Sequence, residues 1–511
     1  MLLRSCTRLP TRYISRQFHD GRWPGWEVVI GIETHAQIKS KQKLFSSTPT
    51  SSLKDAPNVN VSVFDAAFPG TLPRLNEECV DLALRTAVAL NSDIQPQSSF
   101  DRKHYFYPDL PAGYQITQHY APIAQGGTVS IGGRAIGIKQ IQLEQDTAKT
   151  TFNPRTRTSS IDLNRAGTAL LEIVTEPDMR SPEEAGAYVR ALQAILRAIG
   201  ASDGNMEAGS LRCDVNVSIN RIGEPPGTRC EIKNLNSVKF MQSAIISEIE
   251  RHKALYSKGA EVSQETRGFN QDTFETFSMR SKEDAPDYRY MPDPNLGILE
   301  IPPQRIDYIR STLPELPWQV RARLTTAYDL AEKEADVLLN LDTEEQYGAV
   351  AYFDRVCANG RNPRIAFNWM VHELLGRLNA ASLAFSDNPI SSQHLAELVS
   401  LVENGRLTGA SAKILLKHML SSPHNSRRSP TELAGSLSLL SDASSASAEL
   451  NLDALCTRAI NALPSECAAY RAGHQGVLNK IIGWVMKESK GRTDSKKVRE
   501  LLVEILKDKH P

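Results

Sequence analysis

Six carboxylates, an imidazole and a lysine fall inside or beside apolar strand-like runs in the first half of this chain, where unpaired charge is costly. Glu33 and His35 end the run "WEVVIGIETHAQI", Glu144 and Asp146 lie in "IQLEQDTAKT", and Glu172 in "LLEIVTEPD". Asp214 follows in "LRCDVNVSI", and Glu231 with Lys233 in "CEIKNLNS". Side chains two apart on a strand share a face, so Glu33 joins His35, Glu144 joins Asp146, and Glu231 joins Lys233. Any one of these acids alone reads as an ordinary salt-bridged strand residue, and a lone His35 as a hydrogen-bonded core histidine. The set reads differently. Carboxylates aimed at one cavity repel unless cations sit among them, and an oxygen-rich set with one imidazole suits a hard divalent ion, magnesium before others. Spacing thus predicts a metal-assisted site. No GxxxxGK[ST] loop, GxGxxG fingerprint or GxSxG elbow occurs, which disfavours Walker-type nucleotide binding, a Rossmann domain and a serine-hydrolase elbow.

The elements that must position these groups follow from pattern. The 511 residues carry a formal net charge of zero and 41% hydrophobic residues, which points to several globular domains and excludes a wholly basic nucleic-acid wrapper. No run approaches the roughly 18 apolar residues of a membrane span. Seven cysteines without a CxxC pair suggest neither a disulfide framework nor a thiolate zinc site. Residues 1–22 contain Arg4, Arg8, Arg12 and Arg16 at every fourth position and no acid before Asp20. That is the pattern of a mitochondrial transit peptide, with a disordered basic tail as the alternative.

Residues 23–303 alternate strands, turns and a few helices, an α+β pattern. In "SPEEAGAYVRALQAILRAIG", Ser181 and Glu184 predict a capping box, Pro182 the first helical position and Gly200 the stop. A second helix is expected from about Ser237 to Lys258. Residues 304–420 predict an all-α domain, 421–450 a serine-rich linker or insertion, and 451–511 a small all-α tail.

"VVIGIETHAQI", "FPGTLPRLN", "DRKHYFYPDLPAGYQITQ", "LEQDTAKT", "IDLNRAGTALLEIVTEPDMRSPEEA", "MEAGSLRCDVNVSI", "CEIKNLNSVKF" and "QETRGFN" resemble, in order and spacing, the B-subunit family of the glutamyl-tRNA(Gln) amidotransferases. The likeness is dense from about Trp26 to Pro294, and "VLNKIIGWVMKESKGR" is similar to the family's C-terminal helical module. The resemblance implies a cradle domain similar to the glutamine synthetase and guanidino-kinase catalytic core, then a helical domain and a helical tail. It implies a ligase, placed in the mitochondrial matrix by the transit-like N-terminus, in which ATP phosphorylates the γ-carboxylate of glutamate misacylated onto glutamine tRNA, and ammonia displaces the phosphate. Implied cofactors are ATP and Mg2+; implied partners are an amidase-family glutaminase that releases ammonia from glutamine, and a small third component, C-type or fungal F-type.

By this resemblance Glu33, His35 and Glu231 match the family's metal positions, with Glu144, Glu172 and Asp214 lining the same pocket. Glu33, His35, Glu144 and Glu231 are expected to hold the metal and act catalytically and Glu172 and Asp214 to serve the nucleotide, while Lys149 and Lys233 are expected, from charge and placement, to contact phosphate. Bacterial relatives typically carry two acids before the aspartate, where this chain has Glu144-Gln145-Asp146, so Glu144 or Asp146 is expected to take over part of the ligation. Ala112 and Ala169 also depart from the usual Lys and Pro. Lys480, Lys487, Lys490, Arg492, Lys496 and Lys497, with Arg499 beside them, form a basic tail that the family relation assigns to the tRNA backbone. The competing reading is a non-catalytic tRNA-binding scaffold of the same complex.

Overall fold

The computed structural model describes residues 20–52, 54–281, 287–342, 348–440, 446–489 and 495–507. The chain divides into two units, 1–317 and 318–511. In the first, a ten-stranded sheet is built around β1 (Trp26–Gln37), whose Val28, Val29, Ile30, Ile32 and Thr34 favour extended backbone. β2 (Asp101–His104) and β3 (Tyr114–Thr117) pair in a smaller sheet, and β4 (Arg134–Gln145) belongs to the large one. β5 (Lys149–Asn153) and β6 (Thr158–Asp162) form a separate two-stranded ribbon. β7 (Ala169–Thr175), β8 (Leu211–Arg221), β9 (Cys230–Leu235), β10 (Glu265–Asn270) and β11 (Glu275–Ser281) complete the main order β11-β10-β9-β8-β1-β7-β4.

Alternation gives this sheet two unlike faces. Ile32, Thr34 and Ala36 of β1, Leu171 and Ile173 of β7, and Cys213, Val215 and Val217 of β8 are all buried. Their core also takes in α1 (Glu77–Ala89), α2 (Pro182–Ala198) and α3 (Val238–Ser257) through Leu84, Leu192, Leu196, Ile245 and Ile249. Each such aliphatic side chain contributes about 1.5–3 kcal/mol on burial. The residues between them on the strands are the polar set, so the same period of two that builds the core presents the acids on the opposite face.

Helix α2 begins and ends as its sequence predicts, with Ser181 accepting from the Glu184 amide at 3.1 Å and Gly200 at φ +70°. The capping box is only half made, because the Glu184 carboxylate turns to the Arg180 amide instead. Gly167 fits its place for a steric reason. Its φ is +81°, and a Cβ there would lie 2.1 Å from Asp65 Oδ1, the acid that holds fully buried Lys43 at 3.1 Å.

Three expected boundaries move. The fold begins by Asp20, not after residue 22, since Arg22 pairs with Asp20 and Glu183 and Trp23 is buried; residues 1–19 lie outside the described residues. The first unit continues past 303 through α4 (Pro303–Ser311), because Ile309 and Leu316 enter its core and Arg305 reaches Asp81 at 2.7 Å and Glu77 at 2.9 Å. The serine-rich stretch is not wholly a linker. Its α7 (Pro430–Ser436) buries Leu433 and Ala434 in the core that includes α5 (Ser392–Glu403) and α6 (Gly409–Leu420). Composition missed this because few apolar residues among the serines suffice at helical spacing. A third core, of Cys456, Ile481, Val485, Val498 and Leu502, joins α8 (Ala446–Ala462), α9 (Leu478–Glu488) and α10 (Ser495–Lys507). No helix among the described residues is long and apolar enough to cross a membrane.

Candidate functional site

Register decides which acids meet. On one side of β1, Glu33 lies opposite Asp214 and His35 opposite Arg212; on the other, His35 lies opposite Glu172. Glu172 in turn faces Gln142 on β4, with Glu144 one step further on the same face, and Asn216 of β8 faces Glu231 of β9. One row thus crosses five strands: Glu144, Glu172, His35 with Glu33, Asp214, then Glu231 with Lys233.

Within it a tighter group forms. Ligating atoms of His35, Glu144 and Glu172 lie within 4.8 Å of one another, with His35 Nδ1 3.8 Å from Glu144 Oε1. Gln142 Nε2 donates to Glu172 Oε2 at 2.5 Å, which orients that carboxylate. Burial pushes the Glu172 carboxyl up to about 7, Glu144 and Glu33 push the same way, and His35 and Lys103 oppose them.

The second group is closed by ion pairs. Lys233 Nζ bridges Asp214 at 2.9 Å and Glu231 at 3.0 Å. Burial would raise the Asp214 carboxyl, but Lys233, His35 and the Asn234 amide at 3.0 Å together leave it below the usual range. Thr266 Oγ1 donates to Glu231 at 3.3 Å. Glu33 stands between the groups and accepts from Asn216 Nδ2 at 3.1 Å.

The expected metal quartet is therefore divided. His35 and Glu144 converge with Glu172, which the sequence assigned to nucleotide, whereas Glu231 is held a strand away by Lys233. Lys149 is not in the row at all; it starts the exposed β5–β6 ribbon. Gln145 pairs with Ala169 and carries its side chain to the Ile116 amide at 3.5 Å, off the acid face, so the missing charge there is not missing from the cluster. Asp146 lies outside that converging group, and Arg212 at 3.0 Å and Arg165 at 3.5 Å both engage its Oδ2.

Sequence reasoning missed Lys103. It enters from β2, its Nζ 4.9 Å from the centre of the Tyr288 ring and 6.0 Å from that of Tyr105. Burial would lower its pKa, but Glu144 chiefly, with Glu172, raises it above the ordinary lysine value. The motif "DRKHYFYPD" is aromatic and charged rather than apolar, so it carries none of the pattern of an acid inside a hydrophobic strand. Arg212 was missed likewise, and it is the residue that fixes Asp146.

Counting the row with its neighbours, Glu33, Glu144, Asp146, Glu172, Asp214 and Glu231 face Lys103, Arg165, Arg212 and Lys233. Carboxyl groups outnumber cations six to four across the row, and His35 adds an imidazole nitrogen beside Glu144 and Glu172. This donor set fits a divalent cation held by His35, Glu144 and Glu172. In the tail, Lys480, Lys487, Lys496 and Lys497 are exposed on α9 and α10; Lys490 and Arg492 lie outside the described residues. Arg499 bonds Asn479 at 3.0 Å.

Residues 28–307 match the model of the GatB/GatE catalytic domain, and residues 351–506 that of the GatB domain. The chain is 57% identical to the B component of the mitochondrial glutamyl-tRNA(Gln) amidotransferase of Laccaria bicolor, over 99% of this chain and 98% of that one. It is 48% identical to the corresponding mitochondrial protein of Cryptococcus neoformans, over 95% and 94%. It is 43% identical to the B component of an aspartyl/glutamyl-tRNA(Asn/Gln) amidotransferase of Granulibacter bethesdensis, over 95% and 99%.

Proposed function

The chain belongs to the GatB family of amidotransferase components, and from that premise we propose that its acid-lined sheet face is where ATP activates a tRNA-borne glutamate for conversion to glutamine. It is an amidotransferase component of the GatB type that works in the mitochondrion on misacylated Glu-tRNA(Gln). As one component of a larger enzyme it acts with partner chains; we assign an amidase-family glutaminase as the source of ammonia, with a small C-type or fungal F-type third chain. The sheet and its polar face correspond, on this reading, to a cradle similar to the glutamine synthetase and guanidino-kinase core.

The chemistry needs what the face supplies. A glutamate γ-carboxylate is a poor electrophile, so one of its oxygens must first attack the γ-phosphorus of ATP while the bond to ADP breaks. Ammonia then attacks the carbonyl carbon of the γ-glutamyl phosphate, phosphate leaves, and the nitrogen loses a proton. The first step brings two anions together. Lys103 and Lys233 would neutralise phosphate and carboxylate charge from opposite ends of the row, and the aromatic wall of Tyr105 and Tyr288 shields Lys103 from water. His35, Glu144 and Glu172 would hold Mg2+, which when bound offsets charge on the phosphoryl oxygens.

The observation that carries this reading is the convergence of His35, Glu144 and Glu172 beside Lys103 on one sheet face. The assembled complex, given ATP, Mg2+ and Glu-tRNA(Gln) with no ammonia source, is expected to release ADP and to yield a glutamyl hydroxamate when hydroxylamine is added. No tRNA-dependent ADP release would instead leave the chain a tRNA-binding scaffold.

The tail carries its own expectation. Its core is separate from the first unit's, and its exposed lysines suit a phosphate backbone. Deleting 451–511 is expected to weaken tRNA binding most at low salt and to flatten the salt dependence, with the sheet still folded by circular dichroism. Equal tRNA affinity in the truncated chain rejects that role.

A further inference from the structure

The β5–β6 ribbon has no evident structural purpose. Every residue from Lys149 to Ser160 is exposed, Phe152 is 60% exposed, and among the described residues the ribbon pairs with no other strand, its root being held by Asn58, which donates to Asp162 at 3.0 Å and Ile161 O at 3.2 Å. A two-stranded ribbon without a buried face is at best marginally stable in water. Something other than packing accounts for it.

Its turn is nevertheless tightly specified. Asn153 Oδ1 accepts from the Arg155 amide at 3.0 Å and the Thr156 amide at 3.4 Å, and the Thr156 and Thr158 hydroxyls meet at 2.7 Å. Arg157 adopts φ +53°, a position where glycine or asparagine would cost less. This ordered turn presents Arg155 and Arg157, neither in a carboxylate ion pair among the described residues. The ribbon's acid, Asp162, lies at the other end, opposite Lys149. The tip is therefore basic with an aromatic beside it. Five strand residues reach about 17 Å, and the root adjoins the site: Arg165, which pairs with Asp146 at 3.5 Å, donates to Thr147 O at 2.9 Å, two residues before Lys149.

We propose that this ribbon is an RNA arm: Arg155 and Arg157 grip backbone phosphates of the tRNA near its aminoacylated end, and Phe152 adds a surface on which an unpaired base can stack. Charge complementarity selects the occupant, since the substrate is a polyanion whose acceptor end must come to the acid face a strand's length away. The assignment rests on the reading of this chain as acting on Glu-tRNA(Gln).

The test uses the full chain in its assembled complex, with two variants, Arg155→Ser combined with Arg157→Gly, and Phe152→Ala. Glycine relieves the positive φ at 157, so a loss of binding in the double variant cannot be laid to a broken turn. The double variant is expected to bind tRNA roughly tenfold more weakly at low salt, with the slope of log affinity against log salt smaller by about 1.4–1.8, the value for two lost phosphate contacts. Phe152→Ala should weaken binding severalfold with the slope unchanged. Glutamine hydrolysis and ATP affinity should match the parent in both. Unchanged tRNA affinity and slope in the double variant overturn the arm, and so does failure of that variant to assemble with its partners, which would make the ribbon a protein interface. A parent complex with no tRNA affinity would overturn the functional reading as well, and is seen before any variant is made.

Discussion

Glu144→Gln is expected to lower the rate of amide formation by roughly 10²- to 10³-fold in the assembled complex, with glutamine hydrolysis largely retained. Glu144 acts on Glu172, Lys103 and Arg212 alike. It lies 3.8 Å from His35, raises the Glu172 carboxyl, and is the main anion holding Lys103 above the ordinary lysine value. Glutamine keeps the shape and removes the charge, so a divalent ion loses a ligand oxygen of full negative character. Two readouts separate this from misfolding. Raising Mg2+ should recover part of the rate, and circular dichroism should show the sheet still folded, because glutamine keeps the side chain's shape and relief of repulsion from Glu172 offsets the lost attraction to Lys103. Glu231→Gln is the contrast: its carboxylate is already neutralised by Lys233 at 3.0 Å, so its Mg2+ dependence should shift far less. Equal shifts in the two variants would restore the quartet that the family resemblance implied, and an unimpaired Glu144→Gln would remove the metal site of His35, Glu144 and Glu172.

Spacing reached the polar face but not the partition within it. Alternation along β1, β7, β8 and β9 is local, and it placed Glu33, His35, Glu172, Asp214 and Glu231 on one side of strands whose other side is core. Which acids touch depends on register between strands far apart in sequence, and nothing within one strand encodes that. Glu172 and Glu144 meet because β7 and β4 pair with Leu170 opposite Glu144, a relation visible only once the strands are side by side. Lys103 was illegible for the same reason, since it comes from a different small sheet and meets the acids across space. Lys149 shows the converse error. Its neighbours Glu144 and Asp146 suggested a shared pocket, yet three residues carry the chain off the sheet edge and into the ribbon. Helix α2 was legible end to end because its cap, stripe and stop lie within a single short segment, whereas α7 was hidden by the serines around it.

The core side of the same sheet holds the strongest stability expectation. Glu248 of α3 is fully buried and bonds His252 Nε2 at 2.9 Å, Arg251 Nη2 at 2.6 Å and Arg267 Nε at 3.1 Å. Burial alone would raise its carboxyl, but the bonds from His252 and Arg251 prevail and hold it far below the ordinary glutamate value. Glu248→Gln leaves two guanidinium groups facing a neutral amide, and breaking a buried pair of this kind costs about 3–5 kcal/mol. The sign with pH follows from the depressed carboxyl. Its stabilising effect is complete above the unfolded value of about 4.3 and declines as pH falls below it, toward the folded value. Urea unfolding of the full chain at pH 7 is therefore expected to show a sharply lower midpoint for Glu248→Gln, and the gap from the parent should narrow in acid below about pH 4. A gap below about 1 kcal/mol at pH 7, or one that widens in acid, would mean that Arg251 and Arg267 find their compensation elsewhere, with Glu265 at 3.3 Å and 2.6 Å the group placed to supply it.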